Sequence, residues 1–171
     1  MTLLVLCRHA AADDTATDLA ERVAAFEPEI VYSSPLERAL RTADAIAARC
    51  GLEVRIDERL REIDFGDVEG LGFDALPLEL QRGLLERPTE VRFPGGEGYA
   101  ELRVRIGGAL DEIAPAHDRV AVVSHAGTIR AAFASWLGLA DDMIWRIDQR
   151  YGALNVVELV EGTPIVRLLN G

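Results

Sequence analysis

The sequence predicts an α/β fold: a three-layer sandwich with a mostly parallel central sheet and helices on both faces. Two observations carry this. Short apolar runs alternate with longer segments of helical periodicity, the pattern of a parallel sheet wrapped by helices. Two of the runs, 3–7 and 120–123, end on a polar pair containing a histidine, Arg8-His9 and Ser124-His125. In open α/β sheets chemistry gathers just past the carboxyl ends of strands, and two of the three histidines sit there. At 171 residues, without a repeat, low-complexity tract or linker, the chain reads as one domain over 1–171.

The elements follow in order. After the strand at 3–7, Thr17 is a plausible N-cap for a helix over 18–26, closed by Pro28. A second strand covers 30–32. Ser34, Pro35 and Glu37 read as cap, first helical residue and capping box of the next helix. Leu36, Leu40, Ala43 and Ala47 give that helix an apolar face, and Gly51 ends it. A strand at 52–56 leads into a loop over 58–70 rich in carboxylates. Short helical periodicity returns over 78–86. Tyr99, Leu102, Ile106, Leu110 and Ile113 mark a longer helix whose apolar face is core, ended by Pro115. His117 falls in the turn before the strand ending at Ser124. A helix over 129–137, a short helix over 141–148 and a hairpin turning at Glu161-Gly162 complete the chain. Tyr99, Trp136 and Trp145 read as packing residues.

Composition narrows the function. The formal charge of −11, from 18 basic and 29 acidic residues, argues against nucleic acid and anionic membranes as partners. A small anionic substrate needs only a local basic pocket. No apolar run approaches the roughly 20 residues of a membrane span, and the first run lacks the length and basic flank of a signal peptide, so the expected compartment is the cytoplasm. Cys7 and Cys50, without metal-ligand spacing, are expected to be free thiols. The chain lacks a P-loop.

If the strand ends converge, they bring together His9, His125 and Arg8, with Arg38 from a helix N-terminus and Glu62 as a candidate carboxylate from the acidic loop. Arginine forks match phosphate oxygens. Helix starts after Ser34 and Gly127 offer backbone donors to an anion. A neutral imidazole can attack phosphorus.

Five motifs in order then resemble the histidine phosphatase (phosphoglycerate mutase-like) superfamily. They are Leu6-Cys7-Arg8-His9-Ala10, Ser33-Ser34-Pro35-Leu36-Glu37-Arg38-Ala39, the loop from Leu60 to Gly70, Phe93-Pro94-Gly95-Gly96-Glu97, and Val122 to Arg130 around Ser124-His125-Ala126-Gly127. The resemblance implies a phosphoglycerate mutase-like fold and a phosphomonoesterase acting on a small phosphorylated metabolite. It implies His9 as the nucleophile that becomes phosphohistidine. Arg8, Arg38, His125 and Ala126 would hold the phosphoryl group, and Glu62 would serve as general acid and then base. It implies neither metal nor other cofactor. Within the family, the loop from Glu62 to Gly70 resembles the α-ribazole phosphatase branch. Ala10 and Ala126 stand where the family has glycines, Val68 where it has tryptophan, and the segment between His9 and Ser33 is short. Two alternatives stand beside hydrolysis: a phosphoglycerate mutase-like phosphotransferase, and a catalytically weak phosphate- or phosphoprotein-binding module.

Overall fold

The computed structural model describes residues 1–171, except the side chains of Asp141 and Asp142. Six strands form one mixed sheet: β1 (Thr2–Arg8), β2 (Ile30–Ser33), β3 (Val54–Ile56), β4 (Arg119–Ser124), β5 (Leu154–Val160) and β6 (Thr163–Leu168), in the order β3-β2-β4-β1-β5-β6. The four strands from β3 to β1 run parallel; β5 and β6 add an antiparallel edge. Five α-helices flank the sheet: α1 (Asp13–Ala24), α2 (Glu37–Cys50), α3 (Leu78–Glu86), α4 (Tyr99–Ile113) and α5 (Ala126–Trp136).

The period-2 alternation of β1 splits the core. Val5 and Cys7 join Val31, Ala121 and Val123 in a layer packed on α1 and α2 through Leu19, Val23 and Ile46. Leu4 and Leu6 face the other way, with Val120 and Val122, onto Leu102 and Ile106 of α4 and Phe133 of α5. Because both faces are covered, the central strands are apolar throughout rather than alternating with polar residues. Both cysteines are free, and burial pushes the Cys7 thiol up to about 12. Among the described residues no helix is long and apolar enough to cross a membrane.

Three helix starts differ from the sequence expectation. α1 begins at Asp13, not 18, and Thr17 lies inside it, its hydroxyl donating to the Asp13 carbonyl at 3.0 Å. Asp13 and Asp14 in the first turn complement the dipole there, in place of a side-chain cap. α2 begins at Glu37 without the expected capping box. Ser34 Oγ instead accepts from the Leu36 amide at 3.3 Å, holding a turn around Pro35. α5 begins at Ala126, directly after His125, rather than at 129. The helices at 78–86 and 99–113 coincide with their apolar periodicity. The β5–β6 hairpin turns where predicted, with Glu161 at φ 50° and Gly162 at φ 81°, the paired positive angles of a tight hairpin.

Candidate functional site

The parallel strands β2, β4 and β1 finish side by side, Arg8 level with Ser124 and Ser33 level with Val123. Just past them the His9 amide donates to the Ser124 carbonyl and the Ser34 amide to the Val123 carbonyl, each at 3.0 Å. This ladder continues beyond the sheet and brings the His9 and His125 rings to 5.1 Å between centroids. Both rings are buried.

The His9 ring is held in one tautomer. Its Nδ1 lies 3.1 Å from the Ala10 carbonyl oxygen. A carbonyl only accepts, so Nδ1 carries the proton and Nε2 keeps its lone pair. Burial, and then the charges of Arg38 and Arg8, hold the His9 imidazole below its ordinary range. His125 is pushed down to about 3, by burial first and then by Arg38, His9 and Arg8. Its Nε2 sits 2.8 Å from Ser34 Oγ, while its Nδ1 is buried without a partner among the described residues.

Arg8 is fixed from two sides. Its Nη1 donates to the Gln149 carbonyl at 2.6 Å, and its guanidinium carbon lies 3.7 Å from the centroid of the Tyr151 ring. Its Nε is buried without a partner among the described residues. The Tyr151 ring also meets His9 edge-on at 5.4 Å. The Gln149 end of this loop is anchored from the core. The side chains of Gln149 and Asn155 exchange two hydrogen bonds of 2.9 Å, and Asn155 Nδ2 also donates to the Leu6 carbonyl in β1. Among the described residues Arg38, in the first turn of α2, has no side-chain hydrogen bond to the protein, and it lines an open cavity shared with Leu36 and Glu62.

Glu62 reaches the site from the acidic loop. Its carboxylate accepts from the Gly127 and Thr128 amides, each at 3.2 Å, so it occupies the N-terminus of α5. The backbone donors expected there for an anion are therefore partly engaged by Glu62. The Ala126 amide, one residue earlier, is not part of that contact. Gly127 is required by the approach, since a Cβ there would lie 2.5 Å from Glu62 Oε1. A strut holds the loop from behind: Arg105 donates to the carbonyls of Arg59, Arg61 and Glu62 and pairs with Glu97 through two bonds of 2.8 and 2.7 Å. Ser124 Oγ donates to the Leu60 carbonyl, tying the same loop to β4. Among the described residues no group of three or more His, Cys, Asp or Glu is placed to hold a metal ion.

Residues 5–171 match the sequence model of the Histidine phosphatase superfamily (branch 1). The chain belongs to that superfamily. Phosphoserine phosphatase 1 of Hydrogenobacter thermophilus is 32% identical over 158 residues, covering 89% of this chain and 74% of the relative. Phosphoglycerate mutase-like protein 4 of Arabidopsis thaliana is 41% identical over 110 residues, covering 60% of this chain and 48% of that longer protein. The structure of Bacillus stearothermophilus YhfR superposes with a TM-score of 0.90 at 24% identity, covering 98% of this chain and 96% of that one, which shows the shared fold.

The sequence-predicted histidine phosphatase residues thus come together around one site: Arg8, His9, Arg38, Glu62, His125 and Ala126. Neither alanine that replaces a family glycine needs a left-handed backbone, as neither has a positive φ. Sequence reasoning singled out Glu97 as the end of the Phe93–Glu97 motif but missed its partner Arg105, together with Tyr151 and Gln149. The roles of Arg105, Tyr151 and Gln149 depend on contacts across the chain, and no local pattern marks these three. Trp145, expected to pack, is half exposed, with its indole N–H donating to the Leu84 carbonyl.

Proposed function

We propose that this histidine phosphatase chain is a phosphomonoesterase for a small phosphorylated metabolite, working through a phosphohistidine at His9. The observation that carries this is the fixed His9 tautomer. Its unprotonated Nε2 lies in a pocket whose positive charge comes from Arg8 and Arg38.

In the first step Nε2 attacks phosphorus, the ester P–O bond breaks, and the departing oxygen takes a proton from the Glu62 carboxyl group. In the second step water attacks the phosphohistidine, gives its proton to the Glu62 carboxylate and releases inorganic phosphate and neutral His9. Arg8 and Arg38 stabilise the equatorial oxygens as charge spreads over them. The buried Nδ1 of His125 and Nε of Arg8 lack partners among the described residues, and phosphoryl oxygens would satisfy both. The Ala126 amide adds a backbone donor. No step uses a metal.

Hydrolysis is preferred over phosphotransfer on one observation. α1 begins at Asp13, four residues after His9, so the chain leaves no long segment there to shut water from a phosphoenzyme. The α-ribazole resemblance rests on the loop from Glu62 to Gly70 and remains one specific case of this activity. A panel of phosphate esters, assayed with and without EDTA, tests the proposal. Release of inorganic phosphate, unaffected by EDTA, is expected. Binding without turnover would favour the phosphate-binding module, and transfer to acceptor alcohols in preference to water would favour the mutase-like activity.

A further inference from the structure

A partly open, apolar cavity of about 130 Å³ borders Glu62, Ala126 and Gly127, and shares Glu62, Ile63 and Phe65 with the charged cavity of Arg38 and Arg61. Its walls include Phe65, Phe93, Leu84, Leu102, Ile144 and Trp145. That volume is close to the about 150 Å³ of a cavity that accepts benzene, so one ring or a branched chain would fill it, with a further polar group at its open side. A nucleoside would not fit within it.

One cation shares this lining. Arg130 is half-buried on α5, with its Nε donating to the Ile147 carbonyl at 2.7 Å and its guanidinium carbon 5.7 Å from the Trp145 ring centroid. Among the described residues its two terminal nitrogens have no hydrogen-bond partner, and no carboxylate forms an ion pair with it. Burial and the nearby charge of Arg8 disfavour its cationic form, while Glu62 and Asp148 favour it from beyond pairing distance. A half-buried guanidinium without a counter-ion is costly unless an anion completes it. Its free fork matches a carboxylate.

We infer that this cavity is the leaving-group pocket, and that it takes a small apolar or aromatic alcohol bearing a carboxylate, which Arg130 reads. The inference rests on the proposed phosphatase reaction, because the pocket earns its meaning from Glu62 delivering a proton to the departing oxygen at its edge. It names the substrate class: phosphate monoesters of compact hydroxy acids with an apolar body.

The test compares kcat/KM of the full chain for glycerol 1-phosphate, benzyl phosphate and the three carboxybenzyl phosphates. All have alkyl-type leaving oxygens, so the proton requirement is shared. Benzyl should exceed glycerol by about tenfold or more for filling the apolar walls. The best carboxybenzyl ester should exceed benzyl by roughly ten- to a hundredfold for the charge-assisted pair. Arg130→Met should erase the carboxylate step, and Arg130→Lys should restore part of it. Trp145→Ala should shrink the benzyl-over-glycerol step.

The wild-type order reads the pocket without any substitution. Glycerol phosphate turned over as well as the benzyl esters would overturn the inference while leaving the phosphatase reaction standing. So would Arg130→Met lowering all the esters and inhibition by inorganic phosphate by one common factor, which would make Arg130 part of the phosphoryl clamp. Undiminished turnover of every ester by His9→Ala would instead defeat the reaction itself, and the inference with it.

Discussion

His9 and His125 end buried strands, and both are kept neutral by surroundings that resist a proton. That has a stability consequence with a definite sign. In the unfolded chain a histidine titrates near 6.5. As pH falls through about that value the unfolded chain takes up protons that the folded chain refuses, so stability falls. For His125 the loss continues until its folded value, about 3. Carboxylates begin to contribute only below about pH 5, so the window between pH 6.5 and 5 isolates the histidines. Thermal melts across it should show a falling Tm in the wild type and a shallower fall in His125→Asn. Equal slopes would mean that His125 titrates normally.

At the same scale, Glu62 has a test that its neighbours Asp64 and Asp67 do not share. An alkyl ester needs a proton on its departing oxygen, whereas p-nitrophenyl phosphate expels a stable anion. General-acid help is worth roughly 10²- to 10⁴-fold where it is needed. In single-turnover mixing, Glu62→Gln should therefore slow phosphorylation by an alkyl ester by about that range and by p-nitrophenyl phosphate far less. Equal slowing of both would remove Glu62 from the proton-donor role.

Among the elements, the N-terminus of α5 decides where Glu62 sits. Gly127 leaves room for Glu62 Oε1, which the Thr128 amide holds, while its own amide holds Oε2. Gly127→Ala should keep the fold, because the displaced atom is the end of a side chain. It should reproduce the leaving-group dependence of Glu62→Gln in the same single-turnover assay; a variant that slows both esters alike would mean that the glycine serves packing only.

The elements also show what the residues disclosed in advance. β1, β4, α3 and α4 were legible because apolar periodicity and punctuation agree there. The start of α2 was not, because Ser34 has two demands on one hydroxyl: a turn with Leu36 and a contact with His125. The early start of α1 was hidden by its uncapped first turn at Ala12. In the site, Arg8, His9 and His125 were legible as strand ends. Tyr151 was not, because stacking on Arg8 joins residues 8 and 151 only in the folded chain, as does the buried Gln149–Asn155 pair that anchors the loop.

For the whole molecule, a formal charge of −11 and the proposed phosphate site are compatible because an anion responds to the local cations Arg8 and Arg38. The strand ends and the first turn of α2 gather Arg8 and Arg38 around two neutral imidazoles, while Arg105–Glu97 and Arg59–Asp57 pair acids of the neighbouring segments with arginines. The mixed sheet makes this possible: β4 lies between β2 and β1, so residues over a hundred positions apart become neighbours at one edge. The central claim is that a phosphoryl group passes through His9. Rapid acid-free quenching with a ³²P-labelled ester, followed by peptide mapping, measures it directly. A base-stable, acid-labile label on the peptide containing His9, appearing within the first turnover and absent from His9→Ala, is the predicted result. Full turnover with no label on His9, or the label on His125 instead, would contradict it.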